Sequence, residues 1–179
     1  QTVTNYDETP ELLELALNDS LVCGAVGFLK IDSEDAIKHL DGYQKLTGFE
    51  KLVGIRDIAH DYPDDNYLSK PQVIKNVSEL GNRGLTYDLL TKTPHMKAAI
   101  ELVKSCPNTQ FIIDHISKPY MAKGEMQPWA DLLTQLAKFD NVVIKVSGLF
   151  TEADWNNWSF QTFKPYLDHV TESFTPARM

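Results

Sequence analysis

Positive charge is scarce in this sequence. It holds 17 Lys and Arg residues against 25 Asp and Glu residues, which gives a formal net charge of −8 at pH 7. A chain with this balance is repelled by nucleic acids and by anionic membrane surfaces. We therefore expect a small-molecule substrate and neither a nucleic-acid nor a membrane partner. The sequence indicates no particular oligomeric state.

Cysteines, long apolar runs and nucleotide-binding loops are lacking as well. Cys23 and Cys106 show no CxxC or zinc-ligand spacing, which favours reduced thiols in a cytoplasmic protein. No apolar stretch approaches the roughly 20 residues that span a bilayer, and no signal peptide opens the chain. No GxGxxG or GxxxxGK[ST] loop supports nucleotide binding. The chain begins at Gln1 rather than at Met, so we expect a piece of a longer protein.

What the sequence does contain is an alternation of short β-branched runs with amphipathic segments of about ten to fifteen residues. This alternation predicts parallel strands joined by helices in a single partial β/α domain over residues 1–179. A β/α barrel and an open doubly wound sheet both fit the periodicity. The predicted strands are 22–31, 52–57, 84–90, the run that begins at 111, and 141–148, with 1–4 as the end of a sixth. The predicted helices are approximately 10–19, 33–46, 71–81, 94–105, 128–137 and 160–173.

Ionisable side chains stand where three of the predicted strands end. Ligands bind at the carboxyl ends of strands in parallel β/α folds, so these residues are the candidates for a site. Strand alternation places Arg56, His115 and Lys145 each after apolar residues on one face of its strand. A buried Lys or Arg is costly unless it is paired or functional. We therefore predict His115 as catalytic and Arg56 and Lys145 as substrate-binding, the alternative being a structural histidine.

Two further residues are predicted to bind substrate. His60 lies in an acidic loop after the Arg56 strand, and Tyr87 lies near the end of another strand. The Tyr87 hydroxyl either donates to a substrate oxygen or packs inside the barrel, and both interpretations stay open. Trp155 and Trp158 follow the last strand, where they either wall a pocket or pack in the core.

Four stretches of the sequence carry a family pattern. They read "LVGIRDIAHDYPDD", "GLTYDLL", "QFIIDHISKP" and "PWADLLTQLAKFDNVVIKVSGLFTEADW". Together they resemble the amidohydrolase-related group of the amidohydrolase superfamily, and in particular its fuconolactonase-like sugar lactonases and metal-dependent hydrolases. The resemblance implies an α/β fold of the TIM (β/α)8 barrel type. The family's H-x-H pair and its G-S-D-W-P-like motif are absent, so we expect an incomplete barrel that lacks the first and eighth strands.

The resemblance also implies a chemistry. It implies hydrolysis of a sugar-acid lactone or related cyclic ester by attack of water on the carbonyl, with the Asp of the absent motif as base. His115 would polarise the carbonyl or bind a divalent metal such as zinc, whose other ligands are absent from the chain. Metal-dependent and metal-independent catalysis both stay open. The alternatives are a metal-dependent decarboxylase of the same superfamily and an inactive fragment. Lys30 stands where the family leads us to expect an acidic residue.

The position of His115 leads to one geometric expectation. If its strand carries it to the barrel mouth, its ring should lie within about 10 Å of the Arg56 and Lys145 side chains. Such a basic cluster would hold an anionic or polyhydroxylated substrate. It would also favour a neutral imidazole through repulsion between like charges.

Overall fold

All five complete strands predicted from the sequence form, and they lie side by side in one parallel sheet. A computed structural model describes residues 1–179. The strand order is β1-β2-β3-β4-β5, so each strand pairs with its neighbour in sequence, as predicted. The strands are β1 (Ala25–Phe28), β2 (Leu52–Asp57), β3 (Thr86–Leu89), β4 (Phe111–Ile113) and β5 (Val142–Ile144).

Helical segments join the strands. The six predicted helices form, and a short seventh, α6, follows Gly148, whose left-handed φ of 68° turns the chain out of β5. None of these helices combines the length and the hydrophobicity that a membrane span requires. The helices are α1 (Glu8–Asn18), α2 (Ala36–Tyr43), α3 (Pro71–Asn82), α4 (Met96–Ser105), α5 (Trp129–Leu136), α6 (Leu149–Glu152) and α7 (Phe160–Ser173).

The core lies between the sheet and these helices. It is one cluster of 40 buried residues, to which alternate strand residues contribute. Tyr87 and Leu89 of β3 and Phe111 and Ile113 of β4 belong to it. Because side chains alternate between the faces of a strand, Asp88 lies on the opposite face, which is the inner face of the sheet.

The prediction of a sixth strand at residues 1–4 is wrong. The amino group of Gln1 donates to the Val26 carbonyl at 3.0 Å, so the chain does start beside β1. The next backbone donors then bind a side chain instead of a strand. The amides of Thr2 and Val3 both donate to the Glu8 carboxylate, at 2.6 and 3.3 Å. A backbone whose donors are taken in this way cannot continue a strand ladder.

Candidate active site

Four charged side chains from neighbouring strands meet at the carboxyl end of the sheet. Arg56 Nη1 lies 2.6 Å from Asp114 Oδ2. Lys145 Nζ lies 2.7 Å from Asp114 Oδ1 and 2.5 Å from Asp88 Oδ2. We call Arg56, Asp88, Asp114 and Lys145 the carboxyl-end cluster. It brings together two residues predicted from the sequence, Arg56 and Lys145.

The two acids of the cluster were missed by the sequence analysis, although a signal for them existed. Both carboxylates are fully buried. Asp88 lies between two core-facing residues of β3, and Asp114 lies two residues after Ile112 of β4. Alternation counted from the apolar core residues would have placed both on the inner face with Arg56.

Charge pairing and burial set the ionisation of the cluster. Burial opposes ionisation of Asp114, but hydrogen bonds from Lys145 and Arg56 outweigh it and lower the pKa of Asp114. For Asp88, burial and the nearby Asp114 charge raise the pKa, against the hydrogen bond from Lys145. Burial would lower the pKa of Lys145, but its bonds to both acids raise it. Lys145 is therefore a firmly charged ammonium.

Gln1 is a further member of this neighbourhood that the sequence analysis did not identify. Arg56 Nε donates to the Gln1 side-chain oxygen at 2.6 Å, and Arg56 Nη2 donates to the Gln1 backbone carbonyl. With Nη1 bound to Asp114, each guanidinium nitrogen has a partner. Arg56 is consequently held in one orientation.

His115 lies beside the carboxyl-end cluster, as the next residue after Asp114. Its ring is half-buried, and Nδ1 lies 2.8 Å from the Ser147 hydroxyl oxygen. Burial lowers the pKa of His115, and the positive charges of Lys118, Arg56 and Lys145 add to this effect against the opposing charge of Asp114. The resting imidazole is therefore neutral at pH 7. The expected distance of about 10 Å to Arg56 and Lys145 stays a prediction.

The route by which His115 reaches this place differs from the one expected. β4 ends at Ile113, and Phe111 and Ile113 face the helices. Simple alternation would therefore have sent His115 toward the helices too. Instead His115, Ile116, Ser117 and Lys118 all have positive φ values, between 44° and 58°. This left-handed turn, His115–Lys118, breaks the alternation and carries the ring to Ser147.

The turn is held by bonds from several other elements. The Ile116 amide donates to the Lys145 carbonyl at 3.2 Å, and Trp129 Nε1 donates to the Ile116 carbonyl at 2.7 Å. Thr91 Oγ1 donates to Ser117 Oγ at 3.0 Å. Left-handed conformation costs about 1–2 kcal/mol for each residue that is not glycine. These bonds offset that cost.

The remaining sequence candidates lie outside the cluster. His60 follows β2, its Nδ1 lies 2.9 Å from Asp61 Oδ1, and burial lowers its pKa. Tyr87 is not brought to the cluster, because it lies on the opposite face from Asp88. It is fully buried in the core, where its ring meets Phe111 edge-on with the ring centroids 6.3 Å apart. Burial raises its pKa well above the usual value.

Two cavities open near these residues. One, of about 390 Å³, runs along the inner face and is lined in part by Gln1, Arg56, Asp88 and Lys145. The other, of about 350 Å³, lies beyond the ends of β1 and β2. Its lining is Thr4, Tyr6, Phe28, Lys30, Ile58, Asp61 and Tyr62. Both volumes are in the range of small-molecule pockets.

The chain does not by itself form a metal centre. No three His, Cys, Asp or Glu side chains among residues 1–179 are grouped so that they could hold a metal ion. The two acids of the carboxyl-end cluster are bound to Lys145 and Arg56. His115 Nε2 has no hydrogen-bond partner within the chain, so it is available as a single ligand.

Comparison with known protein families and sequences gives consistent matches. A family model described as amidohydrolase matches residues 23–179. An L-fucono-1,5-lactonase from Burkholderia ambifaria is 28% identical over 179 residues, which are 100% of this chain and 60% of that protein. This chain thus spans about 60% of the length of that curated relative.

Solved structures give the fold. An amidohydrolase from Burkholderia multivorans, crystallised with bound zinc, superposes with a TM-score of 0.90 at 26% identity, covering 99% of this chain and 64% of the other. An amidohydrolase 2 from Bifidobacterium longum subsp. infantis gives a TM-score of 0.70 at 18% identity, covering 99% and 60%. The parallel sheet is therefore part of a TIM barrel, and the open doubly wound alternative is excluded.

Proposed function

This chain belongs to the amidohydrolase family, and from that premise we propose that the intact protein hydrolyses a sugar-acid lactone or a related cyclic ester. The observation that carries the proposal is the meeting of Arg56, Asp114 and Lys145 beside His115 at the carboxyl ends of three strands. That edge is where β/α barrels bind their substrates. The similarity to an L-fucono-1,5-lactonase supports a sugar-derived substrate.

Lactone hydrolysis needs an electrophile at the carbonyl oxygen. As water adds to the carbonyl, that oxygen gains negative charge, which a positioned donor stabilises. His115 suits this role because its imidazole is neutral and its Nε2 is free of protein partners. In the tautomer with hydrogen on Nε2, it donates to the carbonyl oxygen. If the intact protein carries a divalent metal, Nε2 in the other tautomer would be a ligand, and the metal would polarise the same oxygen.

Lys145 is the cluster residue best placed to contact substrate. Its side chain is 42% exposed, whereas Asp88 and Asp114 are buried beneath it. We propose that its ammonium binds a hydroxyl or carboxylate oxygen of the substrate. Arg56, whose nitrogens already have partners, holds Asp114 in place. Both acids are ion-paired, so we assign neither as the base that activates water.

The test is an activity screen of the intact protein on five- and six-membered aldonolactones, with proton release as the readout. We expect hydrolysis of at least one, and a loss of kcat/KM of about 100-fold or more for His115→Asn, the size of an effect from a positioned acid or base. His39→Asn is the matched control, because His39 is exposed and lies on α2. Near wild-type kcat/KM in a folded His115→Asn protein would rule out the catalytic role. Carbon dioxide release without lactone hydrolysis would favour the decarboxylase alternative.

A further inference from the structure

The His115 ring has one polar partner in the protein, and that partner is Ser147. The two residues follow different strands, β4 and β5, and the Nδ1–Oγ distance is 2.8 Å. The Ser147 hydroxyl makes no other hydrogen bond in the protein, so Nδ1 is the one protein acceptor available to its hydrogen. Nε2, on the other side of the imidazole, is left for a ligand.

The backbone at Gly148, the residue after Ser147, packs closely against the His115 ring. Gly148 lies so near the ring that a Cβ at this position would stand 2.8 Å from His115 Cβ and Cγ and 2.9 Å from Nδ1. The residue also has a φ of 68°, which favours glycine. Ser147 and Gly148 therefore form the surface against which the imidazole packs. The left-handed turn brings the imidazole to this surface.

A neutral imidazole in this position can exist as either of two tautomers. Its proton lies on Nδ1 or on Nε2, and a serine hydroxyl can accept from Nδ1–H or donate to a bare Nδ1. The Ser147 hydrogen has a protein acceptor only when it is donated to Nδ1, and the ring proton then lies on Nε2. A carbonyl-polarising His115 needs the proton on Nε2, and a metal-binding His115 needs it on Nδ1. An unfixed ring would populate both states and serve either purpose only part of the time.

We propose that Ser147 is a positioning residue that holds the His115 imidazole in a single tautomer and orientation. The proposal rests on the catalytic role proposed above for His115 but assigns a different residue and a different task. Ser147 does not touch the reacting atoms. It acts by donating its hydrogen to His115 Nδ1, so that the ring proton lies on Nε2.

The direct test reads the ring itself. The intact protein, labelled with ¹⁵N-histidine, is examined by long-range ¹H–¹⁵N NMR, and the His115 signals are identified by their loss in His115→Asn. We expect the wild type to show the ring nitrogen shifts of the tautomer with hydrogen on Nε2. We expect Ser147→Ala to show averaged shifts of both, and Ser147→Thr, which keeps the hydroxyl, to restore the single tautomer. A mixed wild type, or a Ser147→Ala protein with wild-type shifts, would overturn the proposal.

The kinetic test follows from the same geometry. Loss of a partner that orients a functional histidine typically costs about 10- to 100-fold, and we expect this loss in kcat/KM for Ser147→Ala, with recovery in Ser147→Thr. Ser20→Ala is the matched control, since Ser20 is exposed and follows α1. Unchanged kcat/KM in Ser147→Ala would contradict the proposal.

The two proposals fail in different ways. If His115→Asn retains lactone hydrolysis while Ser147→Ala still mixes the tautomers, the catalytic role is wrong and the positioning contact stands. If His115→Asn is inactive while Ser147→Ala leaves the ring unchanged, the positioning role is wrong and the catalytic role stands. Melting temperatures of both variants separate these results from a loss of fold.

Discussion

Asp114 and Lys145 form an ion pair of 2.7 Å that links the ends of two adjacent strands, β4 and β5. Asp114 is also bound to Arg56 of β2, and Lys145 also to Asp88 of β3. Four strand ends are thus joined by two acids and two bases. Each acid is fully buried, so its charge depends on these partners.

Lys145→Met should lower the free energy of unfolding, because it leaves Asp88 without its ion-pair partner and Asp114 with Arg56 alone. Breaking a fully buried ion pair typically costs about 3–5 kcal/mol. We expect a smaller loss here, since the Lys145 side chain is 42% exposed and water screens the site. Urea unfolding at pH 7 measures it. Lys38→Met, at an 84% exposed helical position, should change stability by less than about 0.5 kcal/mol. Equal effects of the two substitutions would mean that the cluster contributes nothing.

Lys118→Met should raise the pKa of His115. Lys118 is one of the cations that lower that pKa, after burial, and it is paired with Glu152, whose charge would then be unmatched. NMR titration of the His115 ring gives the result directly. Lys123→Met, an exposed change, serves as the comparison. A His115 pKa that is unmoved or lowered in Lys118→Met would contradict the expectation.

The lowered pKa of His115 also has a consequence for stability against pH. The unfolded chain, with a histidine pKa of about 6.5, binds the proton more readily than the folded one. Folding is therefore opposed as the pH falls below about 6.5, and stability rises as the pH increases through that window. His115→Asn should reduce this part of the acid sensitivity. Melting temperatures between pH 5 and 7 for both proteins check it, and curves of equal slope would refute it.

Gly148→Ala and Gly124→Ala separate two effects of adding a methyl group. Both glycines have left-handed φ values, 68° and 65°, but only at Gly148 does the new Cβ meet another residue, His115. We expect both variants to lose about 1–2 kcal/mol of stability from the backbone. Only Gly148→Ala should lose more than that and also, in the intact protein, lose the proposed lactone hydrolysis. Equal activity in the two variants would show that the ring tolerates displacement.

Trp129→Phe tests the anchor of the left-handed turn. The indole N–H donates to the Ile116 carbonyl at 2.7 Å inside the core, and a phenyl ring fills much of the space without the donor. A buried carbonyl left unsatisfied costs about 1–3 kcal/mol, to be measured by urea unfolding. Trp155→Phe is the comparison, because Trp155 is 76% exposed and should have little effect. A similar small change in both would show that the bond is dispensable.

The strands and helices were predictable because the hydrophobic pattern decides them locally. Apolar runs such as 111–113 must be buried, and the helical stripe that begins at Trp129 must face them. The end of each strand was less predictable. Residues 1–4 look like a strand, yet their donors bind Glu8, a residue of the following helix. Competition of a side chain for backbone donors does not change the hydrophobic periodicity of a sequence, so the periodicity could not reveal it.

The candidate site was predictable in its location and only partly in its members. Arg56 and Lys145 were found because a buried cation is conspicuous in an apolar strand. Their partners Asp88 and Asp114 were not, because pairing between strands is a matter of register. Tyr87 was selected by proximity to a strand end, although alternation with Asp88 directs it to the core. Four successive left-handed residues, none of them glycine, could not be foreseen, since only contacts from distant elements make them stable.

The left-handed turn also determines when His115 gains its native orientation during folding. Its bonds join positions separated by 13, 26 and 34 residues, through Trp129, Thr91 and Glu152. Contacts this distant in sequence form only after the loops between them have closed, which is the slow part of assembling a parallel fold. His115 therefore gains its orientation late, when β3, α5 and α6 have already docked. Weakening the turn should speed unfolding more than it slows folding. A nascent chain therefore contains His115 well before the His115 ring is oriented.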